Sequence, residues 1–130
     1  MPLSITALYA VLLTIVWAAL LIGVGPMRGK LNIALGDGGN PALLLAIRRH
    51  GNFIETAPFL LLLLAIVEIN GAGKTWLHVI GLLLLAGRIL HLIGLNAENP
   101  TAPLRAIGMT ATVASALVSA GYLAWRVVLS

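Results

Sequence analysis

Four long apolar stretches separated by short polar ones set the pattern of this chain. The first charge is Arg28, so positions 1–27 are uncharged, and Leu3 to about Val24 reads as one span. A helix needs about 20 apolar residues to cross the hydrocarbon core of a bilayer. The run has no positive leading segment and exceeds the roughly 7–15 apolar residues of a secretory signal. It therefore reads as a span, although Gly23-Val24-Gly25 has the small residues of a cleavage site. Positions 25–40 (GPMRGKLNIALGDGGN) hold the Gly, Pro and charge of a loop. Asn40-Pro41 then supplies an N-cap and a proline at the first helical position, and Asn70-Gly71 supplies a stop after Ile69. At 1.5 Å per residue a helix over 41–69 is about 44 Å long, against a core of about 30 Å. Its first two turns, ending near Arg48-Arg49, are expected to protrude or lie at the interface. A third span runs from about Thr75 to Leu95, a polar loop follows at 96–102, and Pro103 opens a fourth span that ends near Val128.

Composition turns this pattern into a class. The 130 residues are 60% hydrophobic and 9% charged, with a mean hydropathy of +1.04. Soluble domains carry about 25% charged residues, and so few charges cannot cover the surface of a small soluble fold. An ordinary soluble domain, a disordered chain and a nucleic-acid binder are excluded, despite a pI near 10.4. The chain has no cysteine, hence no disulfide, thiolate metal site or cysteine nucleophile of its own. The expectation is an all-α integral membrane four-helix bundle forming one domain over 1–130, with the lipid bilayer as its surroundings.

Charge asymmetry predicts orientation. Arg28, Lys30, Arg48, Arg49 and Arg105 lie on the side of the two polar loops, against Lys74 and Arg126 on the other. Positive loops stay inside, so both termini are expected outside the cytoplasm and the polar loops within it.

Charges inside spans are costly and mark cavities or partners. Arg48, Asn52 and Glu55, spaced i, i+4, i+7, share about 60° of one helix face. Arg88 and His91 form an i, i+3 pair near the cytoplasmic end of the third span, Arg105 occupies the first turn of the fourth, and Arg28 follows the first. One reading pairs Glu55 with Arg88 and gives the cluster a structural role only. That leaves Arg28, Arg48 and Arg105 in excess, and Arg105 opposes the dipole of its own helix. The favoured reading is a positive, partly desolvated pocket for an anionic ligand. His78 reads as an interfacial or packing residue, and Glu68 and Lys74 as solvated groups flanking the outer turn. Small residues fill two faces of the fourth span (Ala111, Ser115, Ser119 and Thr112, Ala116, Ala120), which suits close packing within a bundle or against a neighbouring subunit.

The segment Arg48-Arg49-His50-Gly51-Asn52-Phe53-Ile54-Glu55-Thr56 with Pro58 resembles the second-helix signature of the MAPEG family, membrane-associated proteins in eicosanoid and glutathione metabolism. Gly87-Arg88-Ile89-Leu90-His91 and Ala102-Pro103-Leu104-Arg105 are similar to that family in the same order, and Leu35-Gly36-Asp37-Gly38-Gly39 to its small bacterial members. The resemblance implies a homotrimer in a bacterial inner membrane that binds glutathione between subunits near the cytoplasmic face. It places glutathione ligands at Arg28, Asn52, Glu55, Arg88 and His91, beside the Arg48 of the positive face, and a thiolate-stabilising arginine at Arg105. Prostaglandin-forming members carry an Arg where Gly51 stands, a Tyr where Leu95 stands, and a Ser and a Tyr near Ala106 and Met109. Their replacement here argues against eicosanoid isomerase chemistry.

The leading functional expectation is a glutathione transferase or peroxidase acting on lipophilic electrophiles, with glutathione as co-substrate. The alternative is a non-catalytic membrane protein that binds a lipid or another anionic ligand. A small transporter is a weaker third reading, because the outer halves of the spans offer little polar path.

Overall fold

The computed structural model describes residues 1–96, 98–99 and 102–129; Ala97, Pro100 and Thr101 of the second polar loop, and Ser130, lie outside the described residues. Four helices account for most of them: α1 (Ser4–Leu31), α2 (Pro41–Ile69), α3 (Lys74–Gly94) and α4 (Pro103–Leu129). Each is long and apolar enough to cross a membrane.

The first helix runs well past Val24, through Gly25 and Pro26, to Leu31. A proline costs a helix one backbone bond, and its weight as a stop signal is overridden here by better chemistry downstream. Arg28 and Lys30 lie in the last turn, where cations complement the macrodipole. Asn32 ends the helix in the left-handed region (φ 54°), its N–H reaching the carbonyls of Arg28 and Gly29. The loop that follows bends at Gly36, Gly38 and Gly39, all at positive φ. Asn40 then caps α2 as its sequence suggests, Oδ1 accepting from the Leu43 N–H at 3.0 Å.

The N-terminus of α1 is capped by an unexpected residue. Leu3 offers no side-chain cap, and the orphan N–H groups of the first turn are met from another helix. Glu68, in the last turn of α2, accepts from Ile5 N at 3.0 Å and from Thr6 N at 2.7 Å. The Thr6 hydroxyl donates to the same carboxylate at 2.6 Å. Glu68 is therefore half-buried rather than solvated as the sequence suggested. Its charge answers the positive end of the α1 dipole. Replacing it by Gln keeps the shape but removes the charge and one acceptor oxygen. We expect Glu68→Gln to lower stability by about 1–2 kcal/mol and to speed amide exchange at Ile5 and Thr6, both measurable in detergent micelles.

Packing centres on α3, which contacts the other three helices; α1 also packs on α2, and α2 on α4. Ile5, Tyr9 and Leu13 form one ridge of α1 against Leu60, Leu64 and Val67 of α2 and Leu77, Ile80 and Leu84 of α3. The Tyr9 ring lies where Gly81 has no Cβ, and its hydroxyl donates to the His78 carbonyl at 3.1 Å with the His78 ring edge-on beside it. Lipid is as apolar as leucine, so helices in a membrane associate through close packing and polar bonds more than through burial. The α3–α4 pair shows both. A Cβ at Gly87 would stand 2.6 Å from Thr112 Oγ1 and 2.9 Å from the Gly108 carbonyl, and added side chains at Gly94 or Gly108 would strike the facing backbone. Gly108, Thr112, Ser115 and Ser119 make the buried face of α4, with Ser115 Oγ donating across to the Ile80 carbonyl at 3.0 Å. The buried face of α4 thus draws on both small stripes, Ser115 and Ser119 from one and Thr112 from the other, while Ala120 is exposed.

Candidate functional site

The end of the bundle that holds the N-terminus of α2 and the C-terminus of α3 carries most of the cations. Its anchor is Arg88, six residues before the end of α3 and only 1% exposed. The guanidinium donates from Nη1 to Asn52 Oδ1 at 2.6 Å and to Thr56 Oγ1 at 2.9 Å. On its other side Nε and Nη2 donate to Thr112 Oγ1 at 3.0 and 2.7 Å. The network ties α2, α3 and α4 together at one depth. The receiving hydroxyls are themselves oriented by backbone: Thr112 donates to the Gly108 carbonyl at 2.8 Å and Thr56 to the Asn52 carbonyl at 2.9 Å.

All three side chains that receive Arg88 are neutral. Glu55, which could have paired with it, is exposed and lies 4.0 Å from where a Gly51 Cβ would stand. A buried guanidinium with hydrogen bonds but no carboxylate partner among the described residues makes this end electropositive. The network also orients Asn52. Arginine can only donate, so the amide must present Oδ1 to it and its two N–H donors to the other side.

The 60° arc of Arg48, Asn52 and Glu55 straddles the edge of the buried face of α2. Asn52 turns toward α3 and is half-buried, while Arg48 and Glu55 are exposed. Glu55 is the fifteenth of 29 residues in α2, and its exposed side chain turns back one turn, toward Gly51. Arg28 is half-buried, and its Nη1 donates to the carbonyls of Ile33, Ala34 and Gly36, the last at 2.8 Å. It thereby braces the loop after its own helix. His91 is 3% exposed, next to the α4 backbone at Gly108, and its Nδ1 is buried without a hydrogen-bond partner. Arg105 is exposed in the first turn of α4, its backbone against the gap left by Gly94.

Of the sequence-derived candidates, Asn52 and Arg88 meet directly and His91 is buried at the α3–α4 contact within electrostatic reach of Arg88 and Arg105, whereas Arg28, Arg48 and Glu55 are spread over other parts of the single chain. Sequence reasoning missed Thr56 and Thr112, whose signal was a hydroxyl at helical spacing from a polar position on a helix facing Arg88. It also gave no separate role to Arg49, which donates from Nε and Nη2 to the Leu95 carbonyl at 3.0 and 2.7 Å. That carbonyl follows the last turn of α3, where a cation satisfies a free acceptor and complements the dipole.

Comparison with known proteins adds to this geometry. The MAPEG family pattern matches residues 6–125. The inner membrane protein YecN of Escherichia coli, in two strains, is 37% identical over 130 residues, covering 97% of this chain and 98% of the relative. No solved structure matches.

Proposed function

Because this chain belongs to the MAPEG family, we propose that its cation-rich end binds glutathione and that the protein is a membrane-bound glutathione transferase or peroxidase for lipophilic electrophiles. The observation that carries the proposal is the buried Arg88. It stands among neutral acceptors, holds the Asn52 amide with its donors turned away, and has Arg48 and Glu55 on the adjoining surface.

The residues fit the ligand's chemistry. Glutathione has two carboxylates, one ammonium and one thiol. Arg48 and the Asn52 amide suit the carboxylates, and Glu55 suits the ammonium. The chain has no cysteine, so a sulfur nucleophile must come from the ligand. Arg105 at the mouth of α4 would hold that sulfur as the thiolate. The Arg88 network would act behind these groups, supplying positive potential and fixing the Asn52 amide. The thiolate then forms a bond to an electrophilic carbon as its leaving group departs.

Glu55 also supports assembly. An exposed carboxylate within a spanning helix, turned back toward Gly51, is costly against hydrocarbon. The surface that covers it is best supplied by a second copy of the chain, within a homotrimer whose ligand sites lie between subunits and are incomplete in one chain alone. The balance of basic residues supports a reading with this end in the cytoplasm and both termini outside it, and the inner membrane location of the relative YecN, given in its name, supports the same membrane here.

A second reading, a non-catalytic lipid- or anion-binding protein, is favoured by the side chains of Leu95, Ala106 and Met109, none of which can donate a hydrogen bond. Turnover separates the two. Purified protein in detergent with glutathione and chlorodinitrobenzene should release chloride and form the thioether above the uncatalysed rate. Saturable glutathione binding without turnover would assign the protein to the second reading.

A further inference from the structure

The first helix is held firmly at one end only. Its buried residues, Ile5, Thr6, Tyr9 and Leu13, all lie in its first half, where Glu68 caps it. From Leu21 to Leu31 no residue is buried, and among the described residues α1 packs on α2 and α3 alone. Helix α3, about 32 Å long and matched to the hydrocarbon core, ends at Gly94, where Arg49 bonds the Leu95 carbonyl. Past that level, of these two helices only the first two turns of α2 continue beside α1. Between Leu13 and Phe53 a single residue is buried, Leu43, at 0% exposed. It faces α1, because it falls within about 60° of Ile54, Ala57 and Leu61 around α2, and those three line the crevice between the two helices. Glu68 meets Thr6 at the other end of the pair. Counting about 25 residues from each along antiparallel helices of equal rise sets Leu43 level with Leu31, the end of α1.

A joint precedes this unsupported end. Pro26 has no backbone N–H, so the Ile22 carbonyl lacks its helical bond, and helices bend at such places. Gly23 and Gly25 stand just before it. In α3 and α4, Gly87, Gly94 and Gly108 make room for a facing helix, but a Cβ at Gly23 or Gly25 would meet nothing. Packing does not call for glycine there, and each weakens the helix relative to alanine. Beyond the joint the chain is braced on itself. Arg28 Nη1 donates to the carbonyls of Ile33, Ala34 and Gly36, the Ile33 N–H returns to the Arg28 carbonyl at 3.1 Å, and the Ile33 side chain fills the place of a Gly38 Cβ. A second joint follows at Gly39, at positive φ with open space around it, crossed by the Asn40 N–H on the Asp37 carbonyl at 2.9 Å.

We propose that residues 27–39 form a flap that rocks as one body on these two joints, with Leu43 as its seat. Closed, it covers Leu43. Open, it bares the α1 side of α2 next to Arg48, near the membrane surface, and so gates entry to the cation-rich end. A braced segment between two joints, with few buried contacts to hold it, has the make-up of a lid. Such motions run on microseconds to milliseconds. The flap does not depend on which ligand that end takes.

The chain has no cysteine, so spin labels attach only where a cysteine is introduced. Lys30→Cys on the helical part of the flap and Leu35→Cys at its tip are each paired with Ile93→Cys on α3, all three exposed positions. Full-length protein in nanodiscs is diluted with unlabelled chain, so that pulsed electron resonance reads pairs within one chain. Both pairs should show two distances. Leu43→Ala removes the seat and should raise the open-to-closed ratio about tenfold in both pairs. The triple variant Gly23→Ala, Gly25→Ala, Pro26→Ala stiffens the first joint and should leave one narrow distance at Lys30→Cys. A single narrow distance in the native background that Leu43→Ala leaves in place would overturn the proposal. So would two distances at Leu35→Cys with only one at Lys30→Cys, which is motion of the loop alone, or two distances that survive in the triple variant.

Discussion

Thr112→Val should destabilise the folded bundle by about 3 kcal/mol, far more than the loss of one hydroxyl in a membrane helix usually costs. Neutral interhelical hydrogen bonds in membranes average only about 0.6 kcal/mol, because the separated helices find other partners. Thr112 differs because its oxygen receives both Nε and Nη2 of Arg88, at 3.0 and 2.7 Å. Valine keeps the shape and leaves half of a buried guanidinium facing methyl groups, with no carboxylate nearby to take up the charge. Thr112→Ser keeps the acceptor and should stay within about 1 kcal/mol of the native chain. Unfolding in mixed micelles would measure both, and equal stability of the Val and Ser variants would remove Arg88 from its anchoring role.

Arg105→Ala should lower glutathione conjugation roughly 10- to 100-fold at neutral pH, the second large effect expected. An arginine near the sulfur favours the anion, so its removal returns the thiol to its ordinary, weakly ionised state. The sign fixes the pH dependence. As pH rises the thiolate forms without help, so the variant should approach the native rate in alkaline solution. Arg105→Lys retains a cation and should keep part of the activity. A deficit that stays constant across pH would instead mark Arg105 as a residue that binds the peptide and leaves the sulfur alone.

The four helices were legible because spans of the membrane are written in long apolar runs, and the Asn40-Pro41 start and Asn70-Gly71 stop carry their own geometry. The end of α1 was not. Gly25-Pro26 is a sound local stop signal, and what overrides it is the Asn32 cap together with the basic last turn. Glu68 was misread for a related reason. A carboxylate beside a turn reads as solvated, and only the approach of α1 to the end of α2 makes it a cap. At the site, the place of Arg88 inside a span followed from the sequence, whereas its partners did not: the sequence offered Glu55, and the structure supplies Asn52, Thr56 and Thr112. A threonine within a small-residue stripe looks like a packing residue until the facing helix brings a guanidinium against it. The partial scatter of Arg28, Arg48 and Glu55 over one chain has a physical reading too, since residues that serve a site between copies need not converge within one.

Calorimetric titration of glutathione into the purified protein, paired with thermal unfolding at the same ligand concentrations, tests the central claim most directly. Saturable heat should accompany a rise in unfolding temperature, because a ligand at a hundred times its dissociation constant adds about 2.7 kcal/mol to the folded state. The Asn52→Leu variant should show a much weaker response. An absence of both heat and thermal shift at millimolar glutathione would contradict the assignment of this cation-rich end as a glutathione site.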